Sequence, residues 1–325
     1  MNIKTFGIVG ALVALAVMIG LVAGSSSLYA ETQPKGSIFI TGHDPDYHAL
    51  SPSCSGEGAQ NLLEIAINYG RNGSDKPLLV VYTNDPADPG GHRDSIAGLE
   101  KVTTNYVKMN ASKFLKAKLT PDRYSAIFVP SDFGGLLTQK ELNALNDRKE
   151  DIRNYLNQGG GLIALAESDG GGGLTPDGGH YGFVPVPITS VPEGHKNGDV
   201  VTPFGANLGL VATDVTCNFS HNYFEGAEGM NVVDYLEVDE NPGFDDGTDQ
   251  IMSLAYRGYY GPGGIVEVPP VVDGDDGKVS ICHATGNNSN PWELIRVPAN
   301  AVAVHIPGHD DVYPDEDGNC PGASR

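Results

Sequence analysis

The feature of this chain that most constrains its fold is a series of short apolar segments separated by helical patterns. GSIFITG (36–42), KPLLVVYTND (76–85), YSAIFVPSD (124–132) and GLIALAES (161–168) are rich in Val, Ile and Leu, with polar or turn-forming residues around them. Runs of this kind predict strands that are buried on both faces. Strands that alternate with helices predict an α/β fold, with a mostly parallel sheet and helices on both of its faces.

The segments between these strands supply the helices. Residues 58–70 and 94–109 have apolar positions at helical spacing, and residues 138–160 form the clearest helical pattern. Thr138 and Glu141 have the spacing of a capping box at the start of that last helix. Further pieces with strand-like patterns follow in a region rich in Gly, Pro and Asp: 183–188, 208–212, 231–238 and 251–256.

The first thirty residues predict export. A single lysine is followed by an apolar run from Phe6 to Ala23 and by small residues that lead to Ala30. This layout predicts a signal peptide (1–30) that is cleaved after Ala30, and hence a secreted or cell-surface protein with no membrane segment after cleavage. An uncleaved anchor is the alternative, because the run is close to the minimum length for a membrane span.

The rest of the chain divides into three parts. Residues 31–260 predict one α/β domain, the Pro-, Gly- and Asp-rich stretch 261–277 predicts a linker, and residues 278–325 predict a small module with cysteines and histidines. A module of this size usually requires a disulfide or a metal ion.

The charge of the chain limits its possible partners, and its cysteine content predicts disulfides. The chain has 41 acidic and 20 basic residues, and this excess of negative charge excludes nucleic acid as a partner. Four cysteines in an oxidising compartment favour two disulfides, for which three pairings are open. Sequence distance favours Cys54–Cys217 within the large domain and Cys282–Cys320 within the module.

Several motifs resemble those of a known family. The segment GHDPDYHA after the first strand, the turn GHRDSI (91–96), the strand AIFVPSD and the helix end NQGGGLIAL resemble the class I glutamine amidotransferase-like fold, in its trehalose-utilisation (ThuA-like) branch. This resemblance covers 36–168 and implies a flavodoxin-like sheet. The C-terminal module similarly resembles small Cys/His domains that are appended to exported bacterial proteins.

The catalytic residues that the resemblance implies are missing. The family has a cysteine at the turn after the fourth strand, where this chain has Ala166, Glu167 and Ser168. It also has a His-x-Glu pair, whereas this chain has His221 followed by Asn222 and Tyr223. Glutamine amidotransferase activity is therefore not expected.

Polar side chains are predicted to gather at the carboxyl edge of the sheet, where open parallel sheets bind their ligands. Histidines and carboxylates meeting at one edge can hold a divalent metal or act as a general acid and base. The alternative is that the aspartates only cap helices or stabilise turns. The predicted ligand-binding residues are His43, Asp44, Asp46, His48, Asp85, Asp132, His180 and His221, and the predicted metal ligands among them are His43, Asp44 and His48.

Two residues at the turn after the fourth strand are the catalytic candidates. Glu167 is the stronger one, because a charged residue directly after a buried strand is costly unless it has a partner or a use. Ser168 is a weaker candidate for a nucleophile, since the G-x-S-x-G spacing is absent.

The C-terminal module contains a second set of candidate ligands. Cys282, His283, His305, His309 and Cys320 could bind zinc, although a disulfide is favoured. Asp315, Asp317 and Asn319 resemble part of a calcium loop, but Tyr313 occupies the first ligand position and rules out an EF-hand.

Three functions are consistent with these features. The first is an exported, non-catalytic protein that binds a carbohydrate or another small polar ligand, or a component of the cell surface. The second is an extracellular hydrolase that uses a divalent metal, calcium or zinc, held by the histidines and aspartates at the strand ends. The third is a structural surface protein that self-associates. The absence of the nucleophile favours the first.

Overall fold

The computed structural model describes residues 35–52, 54–82, 94–131, 137–166, 178–196, 199–216, 220–226, 228–237, 249–261, 263–266, 278–286, 291–298 and 320. The first half contains β1 (Gly36–Thr41), α1 (Pro45–His48), α2 (Cys54–Arg71), β2 (Leu78–Val81), α3 (Asp94–Leu99), β3 (Tyr106–Met109), α4 (Ala111–Phe114), β4 (Ala126–Val129), α5 (Gln139–Asn146), α6 (Lys149–Asn157) and β5 (Gly161–Ala164). The second half contains β6 (Thr189–Lys196), β7 (Val200–Val201), α7 (Pro203–Leu208), α8 (Ala212–Thr216), β8 (Ser220–Glu225), β9 (Asn231–Leu236), β10 (Gln250–Gly261), β11 (Gly264–Val266), β12 (Lys278–Ala284) and β13 (Trp292–Pro298). Across these ranges, none of the helices combines the length and the apolar character that crossing a membrane requires.

The main sheet has a parallel half and an antiparallel half. The parallel strands lie in the order β3-β2-β4-β5-β1, and β10 then pairs with β1 in antiparallel orientation. Beyond β10 the sheet continues through β8 and β6, while β9 also pairs with β10 and β7 pairs with β9. The prediction of a parallel sheet with helices is therefore confirmed for the first five strands.

The position of β1 differs from the usual flavodoxin-like arrangement. In the order 2-1-3-4-5, the first strand lies inside the sheet, between the second and third. Here β1 takes the fifth position, so it has β5 on one side and the antiparallel β10 on the other. The carboxyl end of β1 consequently meets the antiparallel half of the sheet.

Helices cover both faces of the parallel half, as predicted. Alternate residues of β1 enter two hydrophobic cores, because successive side chains of a strand point to opposite faces. Ile38 and Ile40 pack in a core with side chains of α4, α5 and α6. Phe39 packs in the other core, with side chains of α2 and α3. All three β1 side chains are fully buried.

Some predicted elements were wrong. The helix predicted over 94–109 ends at Leu99, and its last residues form β3, whose Val107 pairs with Leu79 of β2. The β-branched Val102, Thr103 and Thr104 disfavour continuation of the helix.

Other boundaries also shift. The helix predicted over 138–160 is divided into α5 and α6, and 183–188 forms turns instead of a strand. Residues 208–212 join α7 to α8 and are not a strand either. The start of the predicted linker contains β11, which pairs with β10.

The C-terminal residues that the structure describes form a hairpin. β12 and β13 pair in antiparallel orientation as a separate two-stranded sheet. The predicted disulfide between Cys282 and Cys320 is confirmed, with the two Cα atoms 5.5 Å apart. Residue 217 lies outside the described residues, and the Cys54–Cys217 pairing stays a prediction. Asp315, Asp317 and Asn319 also lie outside them.

Gly42 allows β1 and β8 to approach closely, and we expect Gly42→Ala to be strongly destabilising. A Cβ atom at this position would lie 1.8 Å from the carbonyl oxygen of Asn222. Forcing backbone apart in a packed core costs about 3 kcal/mol or more. Urea unfolding should show this loss, whereas Gly263→Ala, which meets no atom within 4 Å, should change the free energy of unfolding by less than about 0.5 kcal/mol. Equal stability of the two variants would contradict this reading of the β1–β8 contact.

Candidate functional site

The site is built around the residue that follows Gly42, at the end of β1. The N–H of His221 donates to the carbonyl oxygen of Gly42 at 2.8 Å, which fixes the start of β8. On the other side, the N–H of Ala166 donates to the carbonyl oxygen of His43 at 3.0 Å. The backbone of His43 is thus held between the extension of β5 and the start of β8.

The side chain of His43 contacts two aspartates from the antiparallel half of the sheet. Its Nε2 atom lies 2.8 Å from Oδ2 of Asp234 and 3.8 Å from Oδ2 of Asp199. We call these three residues the His–Asp–Asp triad. All three are buried, with at most 3% of any residue exposed. Their potential ligand atoms lie within 4.8 Å of one another, which makes the triad the one group of this kind that was found among the described residues.

The two aspartates are positioned by neighbouring strands. Asp234 lies in β9 opposite Ser253 of β10, where the register between the two strands shifts. Such irregularities redirect side chains and are common next to functional sites. Asp199 directly precedes β7, and β7 pairs with β9 through Val201 and Asp234. Strand pairing therefore brings both carboxylates to His43 from distant parts of the sequence.

Several polar atoms of the triad have no hydrogen-bond partner among the residues that the structure describes. These are both carboxylate oxygens of Asp199, Oδ1 of Asp234 and Nδ1 of His43. Most buried polar groups in proteins are hydrogen-bonded, because an unsatisfied one costs free energy. Buried oxygens that are left unsatisfied beside a histidine indicate a place for a ligand that is not a protein group.

The triad has two carboxylates and one imidazole, so its possible negative charge exceeds its positive charge. Burial raises the pKa of Asp199 to about 7, and the nearby Asp234 and Glu193 act in the same direction while His43 opposes them. Burial alone would lower the pKa of His43, but Asp234, Asp199 and Asp44 together raise it to about 9. The imidazole is therefore protonated at neutral pH in the absence of a ligand, and it balances only part of the negative charge.

A second group of polar side chains surrounds Asp44, whose negative charge acts on His43. Asp44 follows His43 directly, and its Oδ1 lies 3.3 Å from Nε2 of His48. Its Oδ2 lies 3.2 Å from Nε2 of His221. Burial tends to raise the pKa of Asp44, but the contacts with His221 and His48 outweigh it and lower the pKa overall.

Asp46 has a different role from its neighbours. Its carboxylate accepts hydrogen bonds from the backbone N–H and the hydroxyl of Ser131, at 3.0 and 2.8 Å. Burial raises its pKa to about 6, with the hydrogen bonds of Ser131 opposing and Asp44 reinforcing this shift. These contacts attach α1 to the segment after β4, so we assign Asp46 to holding the helix that carries His48.

The structure brings some predicted residues together and separates others. His43, Asp44, His48 and His221 do gather at the end of β1, but only His43 belongs to the triad, while Asp44 and His48 belong to the second group. His180 is half-buried beside Tyr181, whose hydroxyl lies 3.3 Å from Oδ1 of Asn222. The predicted residues Asp85, Asp132, Glu167 and Ser168 lie outside the described residues.

Sequence reasoning missed Asp199 and Asp234. Both lie in the region whose strands were assigned only loosely, and neither belongs to a motif. One signal was present for Asp234: it interrupts the apolar segment NVVDYL, where a buried charge requires a partner.

Comparisons of the chain with protein-family models, with curated proteins and with solved structures give no significant match. The resemblance to amidotransferase-like proteins accordingly stays a prediction, and the function has to be argued from the site.

We expect the metal-free protein to lose stability as pH rises from about 4 to 9. Asp199 has a raised pKa, so the cost of burying its ionised form appears between about 3.8 and 7. Asp46 adds to this loss between about 3.8 and 6. The stabilisation from protonated His43 is complete below about 6.5 and is lost as pH rises through about 9. Shifts of this size correspond to roughly 3 to 4 kcal/mol each.

The variant Asp199→Asn isolates one part of this dependence. It removes the buried charge while keeping the shape, so at pH 8 and with a chelator present it should be more stable than the wild type. Urea unfolding at several pH values measures the difference. If the metal-free Asp199→Asn protein is less stable than the wild type at pH 8, other groups in the protein already stabilise the ionised carboxylate of Asp199.

Proposed function

We propose that this chain is an exported metal-binding protein that holds one divalent ion between His43, Asp199 and Asp234. The observation that carries the proposal is the triad itself: three buried ligand groups converge, and three of their four carboxylate oxygens have no hydrogen-bond partner in the described part of the chain. An ion there would neutralise the carboxylates and satisfy those oxygens. Its binding would also displace the proton from Nε2 of His43, because only the neutral imidazole is a ligand.

Burial favours an ion over the carbohydrate or other polar molecule that sequence reasoning put first. Residues that bind a sugar have to present an open surface or cleft, whereas His43 and Asp234 are fully buried and Asp199 is 3% exposed. A single ion fits among such side chains. Binding of a small polar molecule at the rim, near the partly exposed His48, is compatible with this proposal and would be a separate property.

The donor atoms favour a transition metal such as zinc over calcium. Calcium prefers six to eight oxygen ligands, whereas imidazole nitrogen suits zinc and its neighbours in the first transition row. The C-terminal module is a weaker candidate for zinc, since the disulfide uses the sulfur atoms of both Cys282 and Cys320. We therefore expect zinc to bind the α/β domain.

A metal-assisted hydrolase is the second candidate function. Three protein ligands are the number that catalytic zinc sites provide, with a further position left open for water or substrate. A zinc ion in such a site would acidify its bound water, and the candidate proton acceptors are Asp44, whose charge acts on His43, and His221, which contacts Asp44. The predicted resemblance to amidotransferase-like proteins does not decide between the two functions, since a fold does not determine chemistry.

The test compares how the substitution of two buried aspartates changes the stabilisation of the protein by zinc. Zinc at about a hundred times its Kd should stabilise the wild-type protein by about 2.7 kcal/mol, seen as a rise in Tm. Asp234→Asn should lose most of this rise, because it removes one ligand of the triad.

Asp214→Asn is the matched control. Asp214 is also a buried aspartate, but it is not a member of the triad, and its carboxylate accepts from the N–H of Val211 and the side-chain amide of Asn61. Its substitution should lower Tm with and without zinc by the same amount and leave the zinc-dependent rise intact. If zinc raises Tm equally in the Asp234→Asn variant and the wild type, the ion binds elsewhere and the proposal fails.

A further inference from the structure

We infer that His48 and Asp44 form the route by which the ion passes between solvent and the triad, acting in turn as transient ligands. This inference rests on the proposed function, since it concerns how the same buried site is loaded. It assigns to the two residues a role in the rate of metal exchange, and it predicts that His48 contributes nothing to the equilibrium affinity.

The first support is that solvent exposure decreases from His48 to Asp44 and the triad. Asp44 and all members of the triad are buried, whereas 14% of the His48 side chain is exposed to solvent. His48 is therefore the most exposed of the imidazoles around Asp44 and the triad; the side chain of His221 is only 2% exposed.

The second support is the continuity of ligand atoms. Nε2 of His48 lies 3.3 Å from Oδ1 of Asp44, and Asp44 follows His43 in the chain and acts on its imidazole through its negative charge. An ion that binds first to His48 thus meets a carboxylate next, and then the triad. Each step replaces one ligand with another of similar chemistry, which costs less free energy than moving a bare ion through an apolar environment.

The surroundings keep these two residues in place. His221 contacts the other oxygen of Asp44, and its backbone is fixed to Gly42. Asp46 anchors α1 through Ser131, which holds His48 at the end of that short helix. The neighbouring groups therefore orient the route, while His48 and Asp44 supply its ligand atoms.

The experiment measures zinc exchange in the full-length, zinc-loaded protein. Release is followed by stopped flow into an excess of a chromophoric chelator, and Kd is measured by equilibrium competition with the same chelator. We expect His48→Gln and His48→Ala to slow release and uptake by about tenfold each, which corresponds to about 1.4 kcal/mol in the transfer step. Kd should stay unchanged. His283→Gln, in the C-terminal hairpin, is the matched control and should exchange zinc at the wild-type rate.

Two variants are compared because a His48 side chain that only blocks access to the triad would give the opposite result. If it only blocks the opening, His48→Ala should exchange zinc faster than the wild type, and that result would overturn the inference. Unchanged rates would place the route elsewhere, and a weaker Kd with unchanged uptake would make His48 a member of the equilibrium site. Failure of the wild-type chain to hold zinc at all is a different result: it would refute the triad before any His48 variant is compared.

Discussion

The hydrogen bonding of β1 on both of its sides is the constraint on which the site depends. β5 pairs with β1 in parallel orientation and β10 in antiparallel orientation, so the residues after β1 emerge where the two halves of the sheet meet. The parallel half contributes His43, Asp44 and the helix α1 that carries His48. The antiparallel half contributes Asp199, Asp234 and His221. Neither half alone contains the triad.

This arrangement places unbalanced charge in the interior. Asp199 and Asp234 lie beside one imidazole, and Glu193 adds to the negative charge near Asp199. Burial of a carboxylate without full compensation is unfavourable. Stability lost in this way is typical of functional sites, where a sequence departs from the rules that otherwise govern its fold. A divalent ion would remove the imbalance, which is why metal binding and folding stability are expected to be linked here.

The sequence predicted the parallel half of the fold well and the site only in part. Strands such as β2 and β4 were evident because their runs of Val, Ile, Leu and Phe are buried on both faces. The strand β3 was missed because YVKM lies on the sheet edge, where its residues alternate less clearly between apolar and polar. His43, Asp44 and His48 were found because they directly follow a strand. Asp199 and Asp234 were not, since only long-range strand pairing brings them to His43.

The most direct measurement is anomalous diffraction at the zinc absorption edge from crystals of the zinc-loaded protein. The account predicts an anomalous peak between Nε2 of His43 and the carboxylates of Asp199 and Asp234. A peak in the C-terminal module, or none within the α/β domain, would contradict the assignment of the triad as the metal site.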